Sequence, residues 1–291
     1  MNRICIFPLL FILVVSSSSY SQNGLSNLKG PYLGQKPPGL TPEPFAPGIV
    51  TTENWEYGGT FTPDLNEFYF IREVGAGDKK RKMEFVVIKN INSKWHISVV
   101  SPRVGQPVIS PDGKTMHLGK KYKKRTKDGW SEIKRLGSPF DEIRIMRLTA
   151  SSIGTYVFDE VSKDGDGVLR YSRLVGGKRE APKALGEKIN AGRWNAHPFI
   201  APDESYIIWD GRREGGYGSS DIYISFRQKD GSWGDAINLG DNINTESWEA
   251  AASVTPDGKY LFFNRKMDTE KNGNVDMFWV DAKYLDTLRL K

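Results

Sequence analysis

Asn195 and His197 are the two residues of this sequence whose types and position best fit a chemical role. An imidazole titrates near neutral pH and can therefore act as a general base or a general acid. Arg193 lies beside them, and Arg212 and Tyr217 follow in the next predicted loop. Because an arginine can hold a carboxylate through two parallel hydrogen bonds, the pattern predicts a pocket that binds a carboxylate and moves a proton. We expect His197 and Tyr217 to be catalytic, and Arg193, Asn195 and Arg212 to hold the substrate.

These residues belong to a unit that recurs along the chain. In each copy a short strand leads into a tight turn, and a second strand rich in aromatic or β-branched residues follows. Four copies have a Pro-Asp turn and a fifth has serines in its place, at Pro63-Asp64, Pro111-Asp112, Ser151-Ser152, Pro202-Asp203 and Pro256-Asp257. Internal repeats of this kind decide the fold before any other sequence signal does.

The repeat length predicts an all-β fold, a β-propeller of four-stranded blades. Successive turns are separated by roughly the 40–50 residues that one such blade needs, and the strand candidates are short and bounded by Gly, Asp and Asn. Five blades are expected, and six would be required if one blade had lost its turn signature. The last repeat has three strand candidates, so we expect residues 43–50 to supply its outer strand and to close the ring.

Three segments are predicted along the chain. Residues 1–22 combine Arg3, a short apolar run and a Ser-rich end, which is typical of a secretory signal peptide. Residues 23–41 are rich in Gly and Pro and are expected to form an extended arm, and residues 42–291 a single propeller domain. The single cysteine, Cys5, falls within the signal peptide, so no thiol chemistry is expected. A periplasmic or secreted protein without a membrane anchor is predicted.

Polar and aromatic residues at equivalent positions of several repeats are expected to ring one mouth of the central channel. Aligning the repeats on their turns brings together Trp55, Trp194 and Trp248, then Glu56, Asn195 and Glu249, with Arg144 from the repeat that lacks Pro-Asp. We predict that these residues contact substrate. The alternative is that the Trp and Glu side chains only tie neighbouring blades together.

Several classes of function have no support in the sequence. The formal net charge of +6 over 291 residues is too modest to predict a nucleic-acid binder. Serine-hydrolase, zinc-protease and phosphate-loop motifs are absent from the sequence. Asp164-Gly165-Asp166-Gly167 lacks the downstream Glu of a calcium loop and is interpreted as a turn. We therefore expect no metal and no cofactor, and a protein that acts as a monomer.

The repeated turn also resembles that of a known family. The Pro-Asp-Gly-Lys type turn before an aromatic strand, together with residues 215–225 and the ending Phe278-Trp279-Val280-Asp281-Ala282-Lys283, is similar to the TolB-type propeller repeat. The resemblance covers about residues 40–285 and implies the fold more than the function. Families of this shape include periplasmic binding modules, propeller domains of peptidases, and propeller lyases that act on uronic-acid glycans.

Two classes of function therefore stay open. The first is a carbon–oxygen lyase that carries out β-elimination on a terminal uronic acid of an acidic oligosaccharide, as an oligosaccharide dehydratase or a polysaccharide lyase. The second is a non-catalytic module that binds a glycan, a peptide or an envelope protein. Repeat-breaking polar residues beside an Arg- and Tyr-bearing loop favour the lyase.

Overall fold

The computed structural model describes residues 25, 28–75, 82–162, 164, 167–267 and 273–289. Five antiparallel sheets, each with four strands in a row, follow one another along the chain and form a ring. The predicted β-propeller of five blades is therefore confirmed. The predicted signal peptide, residues 1–22, lies outside the described residues.

Blades 1 to 3 take up the first part of the ring. Blade 1 contains β2 (Glu56–Phe61), β3 (Glu67–Val74), β4 (Lys82–Ile91) and β5 (Lys94–Pro102). Blade 2 contains β6 (Pro107–Ile109), β7 (Thr115–Leu118), β8 (Lys121–Thr126) and β10 (Lys134–Arg135), and β9 (Gly129–Trp130) pairs with β8. Blade 3 contains β11 (Leu148–Ala150), β12 (Tyr156–Glu160), β13 (Val168–Ser172) and β16 (Lys183–Ala184), with a separate hairpin of β14 (Leu174–Val175) and β15 (Lys178–Arg179).

Blades 4 and 5 complete the ring. Blade 4 contains β17 (Arg193–Ile200), β18 (Tyr206–Arg212), β19 (Asp221–Phe226) and β20 (Ile237–Asn238). Blade 5 contains β21 (Glu249–Val254), β22 (Tyr260–Lys266), β23 (Val275–Asp281) and β1 (Glu43–Pro44). The short helices are α1 (Glu187–Asn190), α2 (Lys283–Arg289) and two 3₁₀ turns, Tyr32–Gly34 and Phe140–Glu142.

The N-terminal strand closes the ring as predicted. Glu43 and Pro44 of β1 pair with Trp279 and Phe278 of β23, so the outer strand of blade 5 comes from the start of the propeller. The amide of Phe45 donates to the Met277 carbonyl at 2.8 Å. Pro44 fits there because a proline, which has no N–H to donate, is tolerated on an edge strand.

The core lies between the faces of neighbouring blades. Its largest cluster joins blades 1 and 5 around the fully buried Phe45, with Phe68 and Trp279 among its members. Tyr32 and Leu33 of the N-terminal arm are buried in the same cluster. The first strand of each blade is thereby fixed beside the central channel, where side chains of different blades meet.

Candidate functional site

The first strands of blades 1, 4 and 5 contain the same β-bulge. The register of each strand against its neighbour shifts at this point, and one residue of each bulge has a positive φ: Gly58 (68°), His197 (46°) and Ala251 (53°). Glycine adopts this conformation freely, whereas other residues pay roughly 1–2 kcal/mol. A histidine held there is strained, and such strain is often found at functional sites.

Each bulge is held by a side chain of the preceding blade. The bulge N–H donates to an Asp or Asn at an equivalent position of the second strand: His197 to Asp159 Oδ2 at 3.0 Å, Ala251 to Asp210 Oδ1 at 2.9 Å, and Gly58 to Asn264 Oδ1 at 3.2 Å. A buried N–H needs such a partner. These bonds therefore link the blades and position the His197 ring in the channel.

The His197 imidazole lies between a carboxylate and a phenol. Its Nδ1 is 3.0 Å from both oxygens of Asp210, and its Nε2 is 3.2 Å from the hydroxyl of Tyr57, which comes from the opposite side of the ring. Burial by itself lowers the pKa of His197, but the charge and hydrogen bond of Asp210, helped by Asp159, outweigh it and raise the pKa above its ordinary value. The hydrogen-bonded group of Tyr57, His197 and Asp210 can accept a proton and return it.

Arg147 of blade 3 completes this group. Its side chain is buried, and its charge interacts with Tyr57, Asp210 and Asp159. We call these five residues the polar plug: Tyr57, Arg147, Asp159, His197 and Asp210. The plug fills the middle of the channel, between the mouth where the first strands begin and the mouth at the Pro-Asp turns.

At the strand-start mouth, blade 4 differs in charge from blades 1 and 5. Glu56 pairs in register with Arg72 in blade 1, and Glu249 with Arg265 in blade 5. In blade 4 the residues paired at this end are Arg193 and Arg212, both exposed. This pairing places two arginines at one point of the rim, where Arg193 also donates to the Asp164 carbonyl at 3.0 Å.

Trp194 lies next to this pair of arginines. Its side chain is 50% exposed, and its φ is 60°, a conformation that is unusual for a bulky residue. An exposed aromatic ring can stack on an apolar sugar face, and guanidinium groups can hold an anionic substituent. Of the predicted substrate-binding residues, Arg193 and Arg212 are thus paired in backbone register, and Trp194 follows Arg193 in the same strand.

Asn195 and Tyr217 take other positions. Asn195 is buried, donates to the Ala191 carbonyl at 3.2 Å and accepts from the indole of Trp209 at 3.2 Å, so its amide is bonded within blade 4. Tyr217 is exposed on the loop before β19, where its amide donates to Asp221 at 2.7 Å. The hydroxyl hydrogen-bonded to His197 is that of Tyr57.

In blades 1 and 5, the tryptophan positions contribute to the blade interface, whereas the glutamates bond within their own repeat. The rings of Trp55 and Tyr57 stack at 4.9 Å, and those of Tyr57 and Trp248 at 5.8 Å. Glu56 is buried and accepts from the amide and hydroxyl of Thr52; burial raises its pKa to about 7. Glu249 is buried too, with Thr245 and Arg265 as donors. The last predicted residue, Arg144, is exposed.

Sequence reasoning missed Tyr57, Asp159 and Asp210. A signal for two of them existed, because aligning the second strands on their turns brings Asp159 and Asp210 to one position. Within the described residues, no group of three or more His, Cys, Asp and Glu side chains is arranged to hold a metal ion.

Comparison with known proteins gives only remote similarities. No family model and no curated protein matches this sequence. Among solved structures, TolB from Acinetobacter baumannii is 15% identical over 78% of this chain and 54% of its own, with a TM-score of 0.45. A gluconolactonase from Xanthomonas campestris is 9% identical over 84% of this chain and 95% of its own, with a TM-score of 0.46. A GH62 hydrolase in complex with xylotriose is 8% identical over 83% and 97%, also with a TM-score of 0.46.

This chain thus spans about half the length of TolB. The assignment of a five-bladed β-propeller rests on the strand pairings described above. In the part of the chain that the structure describes, none of the helices has the length and apolar character needed to cross a membrane.

Proposed function

We propose that this propeller binds a terminal uronic acid of an acidic oligosaccharide at the strand-start mouth of blade 4 and acts on it as a carbon–oxygen lyase. The observation that carries the proposal is the in-register pair Arg193 and Arg212 beside the exposed Trp194, where blades 1 and 5 have a glutamate facing an arginine. A carboxylate bound at this point accepts charge-assisted hydrogen bonds from the guanidinium groups.

The chemistry assigns a role to each group. Binding of the carboxylate by Arg193 and Arg212 stabilises the negative charge that spreads onto it when C5 loses its proton. The Tyr57–His197 pair takes up that proton, with Asp210 stabilising the imidazolium. The electron pair of the C5–H bond forms the C4=C5 double bond, and the C4–O bond breaks. Tyr57 and His197 then return the proton to the departing oxygen, which leaves as water or as a sugar hydroxyl.

A second candidate function is binding without catalysis. It is favoured by the burial of the proton-transfer groups, because the His197 side chain is only 10% exposed and Tyr57 only 2%. Both ring nitrogens of His197 also have partners within the protein. In this case the rim residues would hold an acidic glycan and His197 would stabilise the fold. For either function, the periplasmic or secreted location and the monomeric state stay proposals.

The test follows turnover and binding on matched ligands. The protein is incubated with oligosaccharides that end in a uronic acid, and with the same oligosaccharides after reduction of the carboxylate to a hydroxymethyl group. We expect absorbance from an unsaturated product with the acidic set only. Calorimetry should show binding that Arg212→Ala weakens and that Arg173→Ala, an exposed arginine of blade 3, leaves unchanged.

The outcomes separate the two candidates. Binding of the acidic set without an unsaturated product selects the binding module. Equal binding of acidic and reduced oligosaccharides, or no binding of either, contradicts both.

A further inference from the structure

The channel contains a cavity on the face opposite the blade 4 rim. Its volume is about 290 Å³, and it reaches from the polar plug to the mouth formed by the turns. One residue of each turn lies at this mouth: Pro63, Pro111, Ser152, Pro202 and Pro256. Since β17 runs from Arg193 to the turn at Pro202, the cavity and the rim lie at opposite ends of the same strand.

Arg147 lines the closed end of this cavity. Its side chain is 2% exposed, and its Nε and Nη1 atoms have no hydrogen-bond partner among the described residues. Burying a cation without hydrogen bonds is costly, and burial accordingly lowers the pKa of Arg147 despite the nearby carboxylates. The guanidinium thus has donors available for a ligand.

The two nearby carboxylates make their hydrogen bonds elsewhere. Asp159 accepts the backbone N–H groups of Met146, Arg147 and His197. Asp210 accepts from the amide of Ala251 and from the His197 ring. Their charges partly balance that of Arg147, but neither carboxylate accepts a hydrogen bond from its Nε or Nη1 atom.

The walls of the cavity are mostly apolar. Toward the turns they include Phe61, Phe199, Phe262, Ile109 and Val254. A cavity of about 150 Å³ is enough to take up benzene, so this one has room for a single ring with a short substituent. Such walls suit an aromatic or aliphatic body far better than an oligosaccharide, most of whose hydroxyls would be left without partners.

We propose that this cavity is a second binding site, for a small monocarboxylate with an apolar body, such as an aryl carboxylate. The carboxylate pairs with the guanidinium of Arg147 at the closed end, and the ring lies between the phenylalanines near the turns. The ligand enters between the five turns, at the mouth opposite the blade 4 rim.

The experiment uses benzoate and its uncharged counterpart benzamide as probes. Calorimetry and thermal unfolding are measured with the full chain. We expect benzoate to bind with saturation and to raise the melting temperature with concentration, as linkage requires. Benzamide should bind at least about tenfold more weakly, because the charge-assisted contact with the guanidinium is lost.

Two variants and their controls locate the site. Ser253→Phe, which fills the cavity from its wall, should abolish benzoate binding, whereas Ser98→Phe on the exposed strand β5 should not. Arg147→Lys keeps the charge but not the fork of donors and should weaken binding roughly tenfold. If Arg147→Lys does not fold, Ser253→Phe and the comparison of benzoate with benzamide still test whether benzoate binds in this cavity.

Three results would overturn the proposal. The first is equal binding of benzoate and benzamide, and the second is unchanged benzoate binding in Ser253→Phe. The third is a loss of benzoate binding in Arg212→Ala, because it would place the carboxylate at the blade 4 rim. The last result would leave the proposed lyase site intact, so the two proposals can fail separately.

Discussion

His197 combines a strained backbone, a buried carboxylate partner and a phenol from across the ring. The sequence singles it out because Gly58, Gln106 and Ala251 occupy the equivalent positions of other blades. Its partners could not be found in the same way. Tyr57 and His197 are 140 positions apart in the chain, and only closure of the ring brings them together. Local pattern identifies the unusual residue, whereas three-dimensional structure identifies what it bonds to.

A pH dependence of stability follows from His197. Its pKa is raised in the folded protein above the ordinary value of 6.5, so the folded state binds the proton more tightly than the unfolded chain does. Its stabilisation is therefore complete below about pH 6.5 and is lost as the pH rises through the folded pKa. We expect the free energy of unfolding, measured with denaturant, to fall between neutral and mildly alkaline pH.

The matched variant for this prediction is His197→Asn. Arg147, Asp159 and Asp210 also face the ring, and burial raises the pKa of Glu56 to about 7, so other groups add to the wild-type curve. The difference between the wild-type and His197→Asn curves of unfolding free energy against pH gives the contribution of His197. A variant whose stability falls as steeply as that of the wild type above pH 7 would show that His197 is not charged in the folded protein.

At the scale of the element, the Pro-Asp turn explains why the repeat is visible in the sequence. In blade 5, the Thr255 hydroxyl donates to Asp257, and the amides of Lys259 and Tyr260 donate to Asp257 and Thr255. Ser110 and Asp112 do the same in blade 2. These bonds are local, so the residues that form the turn must lie close together in the sequence.

Blade 3 shows how the pattern can be lost without loss of the turn. Ser151 still accepts the amide of Thr155, but its hydroxyl donates to Glu204 of the next blade, at 2.8 Å, instead of to an aspartate of its own turn. The fifth copy is therefore weak in sequence and intact in structure. Because Glu204 is 53 positions away from Ser151, its replacement of the turn aspartate leaves no local signal in the sequence.

Asp159 should be one of the least replaceable residues of the blade interfaces. Asp159→Ala removes the acceptor for three backbone N–H groups, those of Met146, Arg147 and His197. Since each buried, unsatisfied donor costs about 1–3 kcal/mol, we expect a loss of at least about 3 kcal/mol in the free energy of unfolding. Asp159→Asn keeps one acceptor oxygen and should lose less unfolding free energy, because in blade 5 the amide oxygen of Asn264 accepts the corresponding N–H of Gly58.

Denaturant unfolding of both variants checks this prediction. The exposed Asp128 provides the control, and Asp128→Ala should unfold like the wild type. Near-wild-type stability of Asp159→Ala would show that the observed bonds do not hold the blades together.

For the whole molecule, closure of the ring makes stability depend on a segment before the first repeat. Pairing of β1 with β23 places Phe45, which is fully buried, against the rings of Phe61, Phe68, Phe262 and Trp279. The sequence predicts this closure because the last repeat lacks a strand. The burial of Tyr32 and Leu33 could not be foreseen from a Gly- and Pro-rich arm without periodicity.

Phe45→Ala tests the closure. Truncation of a fully buried phenylalanine costs about 3–5 kcal/mol, so we expect a large drop in the melting temperature. Leu40→Ala, only a few residues away but 51% exposed, should have little effect. Deleting the residues up to Val50 removes β1 as well and should be more severe than Phe45→Ala. A truncated protein that melts like the intact one would contradict closure by this strand.

For the proposed lyase, the blade 4 rim recognises the carboxylate of a terminal uronic acid, and Tyr57 and His197 of the polar plug then take up its C5 proton. The kinetic isotope effect is the decisive measurement: an oligosaccharide with a terminal uronate is deuterated at C5, and its rate of unsaturated product formation is compared with that of the unlabelled substrate. We expect slower formation from the deuterated substrate, a loss of about 10²–10⁴-fold in His197→Ala at unchanged folding, and no product from the reduced, uncharged oligosaccharide. Unchanged turnover in a folded His197→Ala variant, or product from the uncharged oligosaccharide, would contradict it.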